Sequence, residues 1–382
     1  FFYQGLDSNM TKIMLDGVSL LDPSAFGAPN LNSINLNDVD RIEILTGGSA
    51  TLHGSDAMSG VINIITRSIT DGGVVSIEGG NDYQNRFMSY GWTTELGSFS
   101  INSSLKRDQR QSALEGTSEK DLYETDNLSL SYAHHFDNDE LVIKGSLFNS
   151  YFDLDNTDFY TGKLIDATTH NLTVKQELLS VDYTINTTHR FYTTLHYSSM
   201  YLERESVDNY PALYTGKRQV FRVRNMIVPT SYSSFVFGVE KEIQEASSQW
   251  SSKDFSINSV YLNALYDYGE WGFQWGGRKD LISNVTDQNS YNISIFGTLP
   301  HSRTHVLVST KTGFRAASPF ESLDSPDLEP EYSTSYETSF TQPFSFLNLG
   351  LSFQEHHIEN LIEYVFISEF SGSYTNVSGE TV

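Results

Sequence analysis

Three observations predict an all-β transmembrane antiparallel β-barrel with a small α+β module inside it. From about Val74 onward apolar and polar residues alternate, segment after segment. The connections between segments are alternately very short and long, and the first 70 residues have a different, compact texture. The alternation is clearest at Phe99, Ile101 and Leu105; at Leu128, Leu130, Tyr132 and Phe136; at Phe235, Phe237 and Val239; at Tyr291, Ile293 and Ile295; and at Leu347, Leu349, Leu351 and Phe353. A period of two places successive side chains on opposite faces of a strand, so each segment has one apolar and one polar face. A soluble sandwich would alternate in the same way, and this pattern alone leaves membrane and water open.

The connections are more informative. Short ones fall at Leu96-Gly97-Ser98, Phe136 to Asp139, Thr187-Thr188-His189, Pro229-Thr230-Ser231, Gly269-Glu270-Trp271, Pro300-His301-Ser302 and Pro343-Phe344-Ser345. Between them lie longer polar stretches near residues 108–126, 153–173, 204–217, 244–254, 280–288 and 316–332. Tight turns on one rim and long loops on the other suit an outer-membrane barrel, whereas a sandwich has no reason to sort its loops. Counting segments from Val74 gives about 15 strands, against the ~22 of the large barrels whose lumen is filled. The expectation is therefore a barrel that continues past Val382 and a module that begins before Phe1.

Residues 1–70 carry short apolar runs, Lys12 to Leu15 and Val61 to Ile65, bounded by Asp-Gly, Gly-Gly and Ser-Gly signals, and read as a small α+β domain; residues 71–382 read as the barrel. With 48 acidic and 24 basic residues the net charge is −24, which argues against nucleic acid as a partner. The absence of cysteine excludes disulfides, thiolate metal sites and cysteine nucleophiles. No apolar run approaches the roughly 18 residues of a spanning helix, so contact with outer-membrane lipid must be made by strands.

The run Asp38-Val39-Asp40-Arg41-Ile42-Glu43-Ile44-Leu45-Thr46-Gly47-Gly48-Ser49-Ala50-Thr51-Leu52-His53-Gly54-Ser55-Asp56-Ala57-Met58-Ser59-Gly60-Val61-Ile62-Asn63-Ile64-Ile65-Thr66-Arg67 resembles the plug signature of TonB-dependent receptors. Met14 to Val18 looks like the strand that leads to the family's first plug loop. Gly313 to Pro319 and Ser325 to Glu331 resemble its mid-barrel motif, and Tyr374 to Val377 a later strand. Thr46, Gly48 and His53 depart from the Arg, Pro and Tyr usual there. Among branches, the spacing resembles the cobalamin receptors, through Gly80 to Asn85 and the acidic loops that follow.

The resemblance implies a plug in the barrel lumen and capture of cobalamin or an iron–siderophore complex, with release driven by a TonB complex. It implies substrate contacts on plug loops, at Ser24, Phe26, Asn30, Leu52 and His53, and on loop aromatics Tyr160, Tyr210 and Tyr214. It also implies a charged plug-to-barrel latch at Arg41, Glu43 and Arg315. Asp121, Glu124 and Asp126 fall in one expected loop and Asp153, Asp155 and Asp158 in the next. Clustered oxygen ligands of this kind suit Ca²⁺. No resident cofactor is required. A passive porin would share every strand feature but lack residues 1–70. An outer-membrane enzyme would need a site, and neither His134-His135 nor Glu355-His356-His357 has the His-Glu-x-x-His spacing that puts two ligands and a base on one helical face.

Overall fold

The computed structural model describes residues 2–382 apart from 4–5, 26–28, 47–49, 112–119, 158–163, 166, 168, 209–210, 284, 369–370, 380 and 382. A single antiparallel sheet of 15 strands runs from Gly72–Gly79 to Asn348–Glu359, each strand beside the one before it in the chain. Its tight hairpins need left-handed backbone: φ is +123° at Gly97, +47° at Asp137 and +69° at Gly269. No helix among the described residues is long and apolar enough to cross a membrane.

Burial resolves what alternation left open. Leu130 is 53% exposed and its neighbour Ser129 only 4%; Val239 and Val260 are 54% and 55% exposed, while Glu240 and Ser259 are 5% and 7%. A sheet folded in water does the reverse, because burying apolar area is what drives its folding. Here the apolar face points outward into hydrocarbon and the polar face lines the lumen. Ring stacks mark the short-turn rim, with Trp92 on Phe99 (5.3 Å), Phe99 on Tyr132 (4.9 Å) and Tyr232 against Tyr268 (5.1 Å), as expected for side chains with one apolar and one wet end at a membrane interface.

Several expected long loops are strand instead. One strand continues to Gln111 and the next begins at Lys120, and likewise one continues to Val207 and the next begins at Ala212. Ser233–Ser248 and Ser252–Tyr268 leave only residues 249–251 between them. Beyond the apolar band both faces of a strand meet water, so alternation fades from the sequence while backbone pairing persists. Residues 316–330 do form a long connection, with a short helix at Glu321–Asp324.

The N-terminal module is a four-stranded mixed sheet. Its strands are β1 (Thr11–Leu15), β2 (Val18–Ser19), β3 (Val39–Thr46) and β4 (Gly60–Thr66), in the order β2-β1-β4-β3, with β1 and β4 parallel. Asp16 (φ 50°) and Gly17 (φ 83°) make the two-residue turn between β1 and β2. A short helix, α1 (Ala50–His53), precedes β4. Ile13, Leu15, Val18, Leu20 and Ile64 of the module share one core with Phe148, Val174, Leu178, Met200 and Leu202 of the wall. The link from β4 to Gly72 passes Gly91, where a Cβ would overlap the Ile69 carbonyl.

Candidate functional site

The site is the seam between module and wall. It is built from the lumen-facing polar residues that the period of two places on alternate strand positions. Four aspartates of the module, each next to a turn or short helix, each meet a donor on the wall. Asp16 accepts from Lys144 Nζ at 2.5 Å. Asp22 lies 3.6 Å from Arg204 Nη1. Asp38 accepts from Asn127 Nδ2 at 3.1 Å and from Ser129 Oγ at 3.4 Å. Asp56 accepts from Arg218 Nη2 at 2.7 Å, and that same nitrogen is 2.7 Å from Glu242 of the wall.

Below α1 the wall carries a second set of charges. Arg278 donates to Glu240 (2.7 Å) and Asp280 (2.8 Å), and Arg222 pairs with Glu240. Gly54 (φ +74°) rests on this set, since a Cβ there would lie 2.7 Å from the Arg278 guanidinium. Thr51 Oγ1 sits 2.9 and 3.0 Å from the side-chain oxygens of Asn263 and Asn292. Lys12 Nζ donates to the carbonyls of His53 (2.7 Å) and Ser55 (3.3 Å).

These surroundings set protonation in the module. Burial raises the Asp38 carboxyl to about 7, with Asp16 adding to the rise and Asn127 and Ser129 opposing it. Burial lowers the His53 imidazole to about 3, aided by Arg222, Lys12 and Arg278, so the ring is neutral at any growth pH. For Asp56, burial acts upward, but Arg218 and Lys12 outweigh it and hold the carboxyl below its ordinary value. Burial also lowers the Lys12 ammonium, against the pull of Glu242 and Asp56.

The expected latch is relocated. Arg41 and Glu43 do share a face of β3, but Arg41 donates to Glu43 (2.9 Å) and Asp40 (3.1 Å), all three well exposed and within the module. Consecutive partners on one strand satisfied each other before any wall residue could. Arg315 is buried against Glu331 (2.6 Å) and Glu321 (2.9 Å), both of the wall, so it ties a strand end to the loop that follows. Its neighbours hold the module through main-chain atoms: Asp56 N donates to Phe314 O (3.0 Å) and Ala316 N to Ser55 Oγ (3.2 Å). Farther along, Ser318 Oγ donates to Ala25 O (2.9 Å) and Phe320 N to Pro23 O (3.2 Å).

Of the expected substrate residues, Ser24 is fully buried. Its hydroxyl donates to Asp22 (2.7 Å) and its carbonyl accepts from Arg204 (2.8 Å), which makes it a fastener of the seam. Asn30 is half-buried and its carbonyl accepts from Ser33. Leu52 and His53 are half-buried on α1 over the Arg278 set. Tyr214 faces inward beneath the Arg204 guanidinium (5.1 Å) and edge-on to Phe320 (5.8 Å), which in turn meets Tyr374 (6.5 Å). These three rings form an aromatic shelf beside Pro23. Phe320 and Tyr374 escaped sequence reasoning because they belong to distant segments. Phe26, Tyr160 and Tyr210 lie outside the described residues.

Five of the six acids considered for calcium, Asp121, Glu124, Asp126, Asp153 and Asp155, are on strands or at their ends. Asp126 accepts from Asn149 (2.9 Å), Glu124 faces Arg107 (3.8 Å) and Asp153 accepts from Leu122 N (2.8 Å). Asp121 and Asp155 have partners as well, and Asp158 lies outside the described residues. Strand pairing distributes these carboxylates along a ladder. Among the described residues no three His, Asp or Glu side chains come together to hold a metal.

A lipid-facing barrel wall whose polar face is covered by a domain of the same chain, fastened to it by ion pairs, defines a plugged outer-membrane receptor. The chain belongs to the TonB-dependent receptors: residues 1–61 match the TonB-dependent Receptor Plug Domain and residues 65–382 the TonB dependent receptor-like beta-barrel. The N-terminal module is thus the plug. The chain is 26% identical, over its whole length, to the vitamin B12 transporter BtuB of Vibrio cholerae. It is also 26% identical, over 94% of its length, to that of Vibrio vulnificus. It spans 64% and 61% of the length of these relatives. The fold is shared with the siderophore receptor PirA from Acinetobacter baumannii (TM-score 0.81, 12% identity, covering 98% of this chain and 69% of that one). It is shared too with the ferric enterobactin receptor PfeA (TM-score 0.78, 15% identity, covering 99% and 70%).

Proposed function

We propose that this chain serves as an importer in the outer membrane of a Gram-negative bacterium and takes up cobalamin or an iron–siderophore complex. The observation that carries the reading is the plug fastened inside a lipid-facing wall. A lumen stopped by its own chain does not conduct passively, which separates it from a porin, and opening it needs work from outside the barrel. The TonB complex is the proposed source of that work, in keeping with the family's description. Cobalamin is favoured by sequence relatives at 26% identity, which are vitamin B12 transporters, and a siderophore complex by proteins that share the fold. A family of receptors gives no support to catalysis.

Substrate is proposed to settle on the aromatic shelf of Tyr214, Phe320 and Tyr374, with Asn30 and the neutral His53 of the plug as separate contacts. Flat, large rings of this kind suit a bulky chelate with an apolar exterior. Calcium binding by the acidic segments 121–126 and 153–158 enters as a proposal that rests on the sequence alone; calorimetry on the full-length receptor should register heat on adding Ca²⁺, and a flat trace removes it. The transport reading is tested by growth of a receptor-deficient strain carrying the full-length protein, with cobalamin or single siderophores as the limiting nutrient. Rescue is expected with cobalamin. Failure with every nutrient tried would overturn the importer reading.

A further inference from the structure

One groove has a volume of about 700 Å³, and most of its lining comes from outward positions of the wall. Val181, Leu195, Phe221, Val223 and Val239 supply apolar surface, and Lys241 stands among them. The register fixes its place: Lys241 is opposite Phe221 on one neighbouring strand and Asn258 on the other, and Phe221 is opposite Tyr197. Tyr197 packs on Phe221 at 4.9 Å and its hydroxyl accepts from Gln219 at 3.2 Å, so the polar side of the groove already has an organised hydrogen-bonding edge.

Lys241 differs from the other outward lysines near it. Lys175 pairs with Glu203 (3.0 Å) and Lys217 with Glu245 (3.3 Å). Lys241 is exposed and has no ion-pair partner among the described residues. A charge on the lipid face destabilises a barrel unless it lies near the interface or meets a counter-ion. Lys241 lies eight residues from Ser233 at the short-turn rim. That is about 27 Å along the strand and about 20 Å along the normal at a tilt of about 40°. In a band about 25 Å tall this is the upper part, from which a lysine stem reaches the headgroups of the leaflet on the loop side.

We propose that the groove is a binding site for lipid A, the phosphorylated glycolipid of the outer leaflet, with one acyl chain along Leu195, Val223 and Val239 and a phosphate on Lys241. Charge decides for this occupant: an unmasked phosphate complements a lone ammonium, whereas a zwitterionic phospholipid brings its own cation. The proposal rests on the outer-membrane reading above.

The test is native mass spectrometry of the full-length receptor in detergent, titrated separately with lipid A, with phosphatidylglycerol and with inorganic phosphate. Wild type should retain lipid A in preference to phosphatidylglycerol, Lys241→Met should weaken that retention about fivefold, and Lys241→Arg should restore it. Equal retention by wild type and Lys241→Met overturns the proposal. So does equal retention of the two lipids, or displacement of lipid A by phosphate alone. Heat-modified gel migration confirms that each variant is a folded barrel. Growth on cobalamin, measured in parallel, should be the same for wild type and Lys241→Met. Absence of growth with wild type would count against the importer reading, while the lipid titration judges the groove.

Discussion

Replacing Arg218 by methionine removes the one guanidinium that ties Asp56 of the plug to Glu242 of the wall. The side chains of all three are at least nine-tenths buried, and Arg218 Nη1 also reaches Ser19 Oγ at 3.2 Å. Methionine keeps most of the stem volume, so the change is chiefly one of charge. Two carboxylates are then left buried and facing each other, and breaking a buried pair in this way costs on the order of 3–5 kcal/mol. Because Asp56 belongs to one domain and Glu242 to the other, the loss falls on the closed arrangement. It corresponds to roughly a 10²- to 10⁴-fold increase in the population of opened plug. Hydrogen exchange of the backbone amides of β1 and β4, followed by mass spectrometry on the full-length receptor, should accelerate by that factor, while the lipid-facing strands stay protected. Neutralising all three, as Arg218→Met with Asp56→Asn and Glu242→Gln, should return most of the protection, because the two carboxylates no longer face each other without a guanidinium between them. Acceleration below about tenfold in the single variant, or no recovery in the triple one, would refute the view that this ion triplet fastens the plug.

Gly91→Ala should lower the thermal midpoint of the receptor, since the new methyl overlaps the Ile69 carbonyl and forces the plug-to-wall link aside; overpacking of this kind costs about 1–3 kcal/mol. Asp38, raised from 3.8 to about 7 by burial, keeps in the folded state a proton that the unfolded chain gives up. Its contribution is therefore full below pH 3.8, falls away as pH rises to about 7 and is flat above, a change on the order of 4 kcal/mol. Urea midpoints at pH 5 and pH 8 should differ less in Asp38→Asn than in wild type, and equal differences would remove Asp38 as the cause. Tyr214→Ala should weaken binding of the transported nutrient about tenfold or more, with the barrel intact by circular dichroism, because it removes the central support of the Arg204–Tyr214–Phe320 stack.

Much of the wall could be read in the sequence, because period-two alternation and turn residues are local properties. Leu128, Leu130 and the Gly97 and Gly269 turns announce themselves without any partner in view. What could not be read was the sense of burial: Leu130 with Ser129 fits water or lipid equally until the opposite side of the sheet is known. The seam was harder still. Asp16, Asp22 and Asp56 look like turn formers beside Gly17, Pro23 and Ser55, and their wall partners Lys144, Arg204 and Arg218 are more than one hundred residues away. One signal was available. Leu178 followed by Leu179, and Tyr201 by Leu202, make their strands apolar on both faces, and the inward members are those on which the plug core docks. Arg41 and Glu43 misled because matching charges two residues apart on a strand are already paired with each other.

The contacts of Phe314, Ala316, Ser318 and Phe320 with Asp56, Ser55, Ala25 and Pro23 run from a strand end into the 316–330 segment, which carries a ring of the aromatic shelf. Tension applied to the plug would therefore be transmitted to the surface proposed to hold substrate, and displacement of that surface would be felt by the plug. On the proposed reading, unloading and unblocking are mechanically one event, because moving the plug from the wall cannot leave the aromatic shelf undisturbed.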